Sequence, residues 1–145
     1  MGRTCDRVAG GRFSLAGRQH QLGQNEGETC LHGGVVGWDR RHWRGEADPA
    51  HGSLTLSRHS PAGEEGYPGD VIVSVTFTVK DSSVKLSYQA MAASPTIVNI
   101  TNHTYFNLGN TEDILGKPRL PRPNARVLCR PRGDGGQRTV CGDRQ

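Results

Sequence analysis

A chain of 145 residues provides for one domain with a core of modest size. With 33% hydrophobic and 6% aromatic residues, 20 Gly and 8 Pro, it lies at the polar edge of what folds, and its wealth of turn formers argues against an all-helical bundle. The formal charge of +4 invites a nucleic-acid or membrane partner, but residues 1–116 hold 10 basic against 12 acidic side chains and residues 117–145 hold 8 against 2, so the basicity belongs to the C-terminal stretch alone.

In chain order, two short strands are predicted at residues 12–15 and 19–22 around Gly17. A long Gly-rich loop over residues 23–37 follows, then a strand over 53–57 and a second Gly-rich loop over 60–69. Loops of that length in a compact domain are usually functional or disordered. From residue 71, Val71, Val73, Val75, Phe77 and Val79 alternate with Ile72, Ser74, Thr76 and Thr78, the period of a half-buried strand. A turn at Asp81-Ser82-Ser83 leads into a second alternation, Val84, Leu86, Tyr88 and Ala90 against Lys85, Ser87 and Gln89. Residues 71–90 are therefore expected to form an antiparallel hairpin. A further strand is predicted over 96–101. Many short strands separated by Gly and Pro indicate an all-β antiparallel sandwich. From Lys117 the sequence has no aromatic residue, four Pro and scattered Arg, and is expected to be disordered.

No stretch approaches the ~18 consecutive apolar residues of a membrane span. The start MGRTCDRVAGG lacks the apolar segment of a secretory signal, and Asp6 stands where a myristoylation motif wants Ser or Thr. A cytoplasmic protein is expected. Cys5, Cys30, Cys129 and Cys141 show no CxxC spacing and read as free thiols in a reducing compartment. His32, His42, His51 and His59 are too scattered for a metal-ligand spacing, so no metal is expected. The two sequons at Asn99 and Asn102 have no signal peptide to bring them to glycosylation. The tail's arginines lack the interleaved aromatics of an RNA surface, and no nucleic-acid partner is expected.

The densest polar and aromatic cluster is residues 99–108, NITNHTYFNL. If strand alternation persists through it, Asn99, Thr101, His103 and Tyr105 share one face. Such a row of donors and acceptors suits a polyhydroxylated ligand, although a lone strand histidine is as readily a hydrogen-bonded structural residue. His32 beside Gly33-Gly34 offers a second imidazole where backbone can approach a ligand, or else an ordinary turn. Arg3 and Arg7 are cations that could fix oxygen-rich ligands, or plain surface arginines. Glu64-Glu65 is a carboxylate doublet whose adjacent side chains diverge, which disfavours a paired acid/base role.

Four stretches carry a resemblance: GRTCDRVAGGRF (2–13), LHGGVVGWDRRHW (31–43), SPAGEEGYPGDV (60–71) and PTIVNITNHTYFNLGN (95–110). In this order and at these spacings, residues 2–116 resemble the aldose 1-epimerases, or galactose mutarotases. The resemblance implies a large antiparallel β-sandwich, incomplete here, whose open cleft binds a free hexose such as galactose or glucose. It implies a monomer that interconverts α and β anomers with no metal or cofactor. An acid protonates the ring oxygen while a base takes the proton of the anomeric hydroxyl. The ring opens, the C1–C2 bond rotates, and closure yields the other anomer.

By motif, His103 of NHTYFNL corresponds to the family's general acid, with Thr104 and Tyr105 next to the sugar. His32 of LHGG corresponds to a sugar-contacting histidine, and Arg7 to the arginine of an Asn-Arg pair that binds the sugar. Asp6 replaces the Asn of that pair, which allows either a salt bridge to Arg7 or a changed hydroxyl preference. The family's general base, a glutamate near its C-terminus, and its accompanying sugar-binding Asp have no counterpart in this sequence. The resemblance thus implies a partial domain over 1–116, truncated at both ends, with impaired turnover or sugar binding alone. Residues 117–145 read as a frame-shifted or foreign appendage.

Overall fold

The computed structural model describes residues 1–106. Its first compact unit is Met1–Thr104; of the second, which begins at Tyr105, the described residues are Tyr105 and Phe106, both exposed. The expected disorder of residues 117–145, together with Cys129 and Cys141, lies outside the described residues.

The strands are β1 (Arg7–Val8), β2 (Arg12–Leu15), β3 (Arg18–Gln21), β4 (Cys30–Leu31), β5 (Arg44–Asp48), β6 (Ser53–Ser60), β7 (Val71–Lys80) and β8 (Ser83–Ala92). All named strand pairs are antiparallel: β1 with β4, β2 with β3, and a four-stranded sheet in the order β5-β6-β7-β8. The described helices are single turns of 3-10 helix, so the all-β antiparallel expectation holds.

The alternation of residues 71–90 forms the predicted hairpin, extended to Ala92. Its turn is tighter than predicted: Lys80 pairs with Ser83, leaving Asp81-Ser82 as the two-residue loop, with Asp81 left-handed at φ 53°. β6 runs three residues beyond its predicted end, to Ser60, and β3 starts at Arg18, one residue early. β5 has no signature in the sequence, because all five residues of Arg-Gly-Glu-Ala-Asp are exposed. The strand predicted over 96–101 is not formed. That segment instead runs parallel to the N-terminus: Thr4 bridges Asn99, Cys5 N–H donates to the Asn99 carbonyl (2.7 Å), and Asn99 N–H donates to the Arg3 carbonyl (2.9 Å). Among the described residues no strand runs through Asn99, Thr101 and His103, so the strand alternation expected to give them a common face is not formed.

The apolar interior is small. Leu22, Cys30 and Tyr67 form one cluster with Val8, Phe13 and Ile97 against it; Trp38, Val71 and Val73 form another with Trp43, Val98 and Ile100. Between them lies a polar interior built on Arg3, which is 1% exposed. Its Nη1 donates to the carbonyls of Pro68 (2.8 Å) and Gly69 (2.9 Å), and its Nη2 to those of Ser60 (3.1 Å) and Pro61 (3.2 Å). Arg3 is thus no ligand-binding surface cation, as its sequence position allowed. It is the brace that gathers the 60–69 loop, and desolvation lowers its pKa. Away from this interior the sheet is open: Val79 is 59% exposed and Val84 55%.

Candidate functional site

The N-terminal segment enters the site through β1, whose pairing Arg7 with Leu31 and Val8 with Cys30 fixes it against β4. One step further the ladder ends in an irregular pair. His32 N–H donates to the Asp6 carbonyl (3.1 Å), and Asp6 N–H donates to Nδ1 of the His32 ring (3.1 Å). Both residues are left-handed, Asp6 at φ 63° and His32 at φ 53°, a conformation that Asp and His tolerate better than most side chains. With Nδ1 accepting a backbone N–H, the neutral His32 ring carries its hydrogen on Nε2, leaving a donor for a ligand oxygen.

The ring of His103 meets that of His32 edge to face, with centroids 5.1 Å apart and planes at 81°. Thr104 is bound locally: its N–H (2.9 Å) and hydroxyl (2.6 Å) both donate to Oδ1 of Asn102. Arg7 is gripped by Glu26, with Nε donating at 2.6 Å and Nη2 at 2.8 Å, while Nη1 lies 3.6 Å from Asp6. The Asp6–Arg7 ion pair, one of the two possibilities that the Asp substitution opened, is thus present. The Arg7 hydrogen bonds hold the Glu26 carboxyl below the usual range, and Glu26 raises Arg7 in return.

The structure therefore brings together Asp6, Arg7, His32 and His103. Thr104 adjoins His103 in sequence and lines with it a cavity of about 320 Å³, walled by Trp38, Trp43, Val75, Phe77 and Tyr88. Tyr105 opens the second unit, 72% exposed.

Two carboxylates near these residues escaped the sequence reading. Glu26 lies 19 positions from its partner Arg7, and its only signal was membership of a long Gly-rich loop. Asp39 lines the cavity with His103, placed there by the single helical turn Trp38–Arg40.

The Glu64 and Glu65 carboxylates, expected to diverge, both lie near Arg41, at 3.5 and 3.8 Å, while their hydrogen bonds go to different partners. Glu64 accepts from Ser60 Oγ, from Arg58 (2.8 Å) and from Trp38 Nε1 (3.2 Å); Glu65 accepts the N–H groups of Val35 (2.8 Å) and Val36 (3.0 Å). They anchor the His32 loop rather than act as a pair. Asn25 completes that anchor, donating to the carbonyls of Leu31 and Gly34 and accepting from Leu31 N–H. Gly34, at φ 114°, permits it, because a Cβ there would strike the Glu65 carboxylate. Among the described residues no group of three or more His, Cys, Asp or Glu is arranged to hold a metal ion, and no helix is long and apolar enough to cross a membrane.

The profile of the aldose 1-epimerase family matches residues 1–118. The chain is 44% identical over 108 residues to galactose mutarotase of Sus scrofa, covering 74% of this chain and 31% of the relative. It is 43% identical over 113 residues to aldose 1-epimerase of Haemophilus influenzae, covering 77% of this chain and 33% of the relative. Among solved structures, galactose 1-epimerase from Lactobacillus acidophilus superposes with a TM-score of 0.66 at 33% identity, covering 74% of this chain and 33% of that one. The chain thus spans about a third of the length of the relatives it matches.

Proposed function

The chain belongs to the aldose 1-epimerase family, and from that premise we propose that Asp6, Arg7, His32 and His103 bind a free hexose, galactose or glucose, for anomer interconversion. The observation that carries this reading is the His32–His103 pair, two imidazoles edge to face at 5.1 Å beside an anchored arginine. His103 gives its proton to the ring oxygen as the C1–O5 bond breaks, while a base takes the proton of the O1 hydroxyl and the carbonyl forms. Rotation about C1–C2 and the reverse transfers close the other anomer. His32 does not serve as that base: Nδ1 is filled by Asp6 N–H and Nε2 carries the hydrogen, so the ring donates to a sugar oxygen and positions it. Thr104, next to His103 in the first unit, adds a further sugar contact. Residues 1–116 act as the partial family domain, and residues 117–145 take no part. No cofactor enters the reaction, and the protein works as a cytoplasmic monomer.

Turnover is expected to be impaired, because the family's glutamate base has no counterpart in this sequence and a missing partner in acid–base catalysis costs roughly 10²–10⁴ in rate. This favours a second reading, in which the site binds hexose without accelerating its mutarotation. Polarimetry of freshly dissolved α-D-galactose and α-D-glucose, together with NMR titration of the histidine ring protons, separates the two. Acceleration that His103→Ala abolishes supports catalysis; saturable binding with no acceleration supports the second reading; absence of both overturns both.

A further inference from the structure

We propose that Glu26 sets the charge specificity of this site: by occupying one whole edge of the Arg7 guanidinium, it makes the site take neutral aldoses and turn away aldoses that carry a carboxylate or phosphate. The inference rests on the sugar-binding reading above and goes beyond it.

An arginine presents two edges for planar, two-pronged recognition of an anion. Here the Nε–Nη2 edge is filled by the two oxygens of Glu26, at 2.6 and 2.8 Å, and Nη1 faces Asp6 at 3.6 Å. Two carboxylates thus surround one guanidinium, and His32, its Nδ1 accepting from Asp6 N–H, adds no positive charge in its neutral form.

The Glu26 side chain is partly exposed but stands on fixed backbone. Its backbone closes a tight turn, with Glu26 N–H donating to the Thr29 carbonyl (3.1 Å), Thr29 N–H returning to the Glu26 carbonyl (3.0 Å), and Gly27 at φ 58°. Arg7 is fixed in the same way by its pairing with Leu31. An anionic sugar group must therefore displace Glu26 from Arg7 or meet the Glu26 and Asp6 carboxylates at close range. A neutral hydroxyl faces neither cost, since it can donate to a free carboxylate lone pair and accept from His32 Nε2–H. Both side chains are partly solvated, so the discrimination is of moderate size and salt-dependent.

The test compares galactose with galacturonate, the same ring bearing a carboxylate at C6, titrated by NMR against the full chain and against Glu26→Gln. Glu28→Gln removes the same unit of charge from the same loop, where no ion pair involves it among the described residues, and serves as the control. The wild-type chain is expected to prefer galactose. Glu26→Gln is expected to narrow the ratio of the two affinities by about fivefold at low salt and less at high salt, whereas Glu28→Gln leaves it unchanged. An unchanged ratio in Glu26→Gln, with galactose still bound, overturns the inference and spares the sugar-binding reading. An equal change in Glu28→Gln also overturns it, in favour of a net-charge effect. If the wild-type chain binds neither sugar, the sugar-binding reading itself falls.

Discussion

The substitution Glu64→Gln tests whether the polar interior is held by charge or by shape. Glu64 and Arg58 have side chains only 9% and 8% exposed, and they meet at 2.8 Å. Arg58 also lies over the Trp38 ring at 5.8 Å, and its Nε and Nη1 are buried without a hydrogen-bond partner. Glu64 is therefore the principal countercharge of a buried guanidinium. Gln keeps the volume and one acceptor for Ser60 or Trp38 but leaves Arg58 uncompensated, a change that costs about 3–5 kcal/mol. The lower end applies, since Arg58 Nη2 also donates to the His59 carbonyl at 3.2 Å. At roughly 4–8 °C per kcal/mol for a domain of this size, Tm should fall by about 12–24 °C. Thermal and urea unfolding followed by tryptophan fluorescence provide the assay, with Trp38 as a reporter inside the network. Arg58→Met combined with Glu64→Gln removes both charges and should recover most of the loss. A loss below about 1 kcal/mol in Glu64→Gln, or a double variant as unstable as the sum of its singles, would refute the reasoning.

Acid should expose the same pair. Burial opposes ionisation of Glu64, but the hydrogen bonds from Arg58 and Ser60 outweigh it and hold its pKa below 4.5. Its contribution is complete above the unfolded value and is lost as pH falls through the folded one, so the urea midpoints of wild type and Glu64→Gln should converge on acidification. Tyr67→Phe removes the hydroxyl that meets Thr4 Oγ1 at 2.6 Å in a buried setting and should cost about 1–3 kcal/mol, read from the urea midpoint; Tyr67→Phe with Thr4→Val should cost less than the two singles together. Gly34→Ala places a Cβ against the Glu65 carboxylate at φ 114° and should destabilise by about 1–3 kcal/mol while broadening the His32 ring signals in NMR.

The parts of the fold that were legible are those where apolar and polar residues alternate in the sequence. β7 packs inward at Val71 and Val73 on either side of exposed Ile72, whereas β8 is exposed at every residue but Leu86 and was legible from its apolar-polar alternation and its pairing with β7. β5 was invisible because Arg-Gly-Glu-Ala-Asp carries no alternating large apolar residues, unlike the equally exposed edge strand β8. Residues 96–101 were misread because Ile97, Val98 and Ile100 are apolar for a different reason: Ile97 packs on one core cluster, Val98 and Ile100 on the other, while the backbone bonds to the irregular N-terminal residues 1–5. At the site, the histidines and Arg7 stood out by motif, but their partners did not. The Arg7–Glu26 bond spans 19 positions and the Glu65 anchor of Val35 spans 30, and no local pattern encodes either.

This division explains how so polar a chain positions a site. The buried hydrophobic residues are few, and the fully buried side chains include Arg3 and Ser60 beside Tyr67, Val71 and Val73. Arg3 collects the carbonyls of the 60–69 loop, that loop presents Glu64 and Glu65, and Glu65 in turn pins Val35 and Val36 behind His32. The site's geometry is thus set by a chain of directional bonds rather than by a large apolar core. A defect in Arg3 or Glu64 should lower the apparent affinity for every sugar in proportion to the fraction of chain unfolded, leaving the ratio of galactose to galacturonate affinity unchanged. Glu26, outside that chain of bonds, should move the ratio and leave the unfolding midpoint nearly unmoved. Measuring ratio and midpoint on the same variants separates the side chains that build the site from the one that gives it a charge preference.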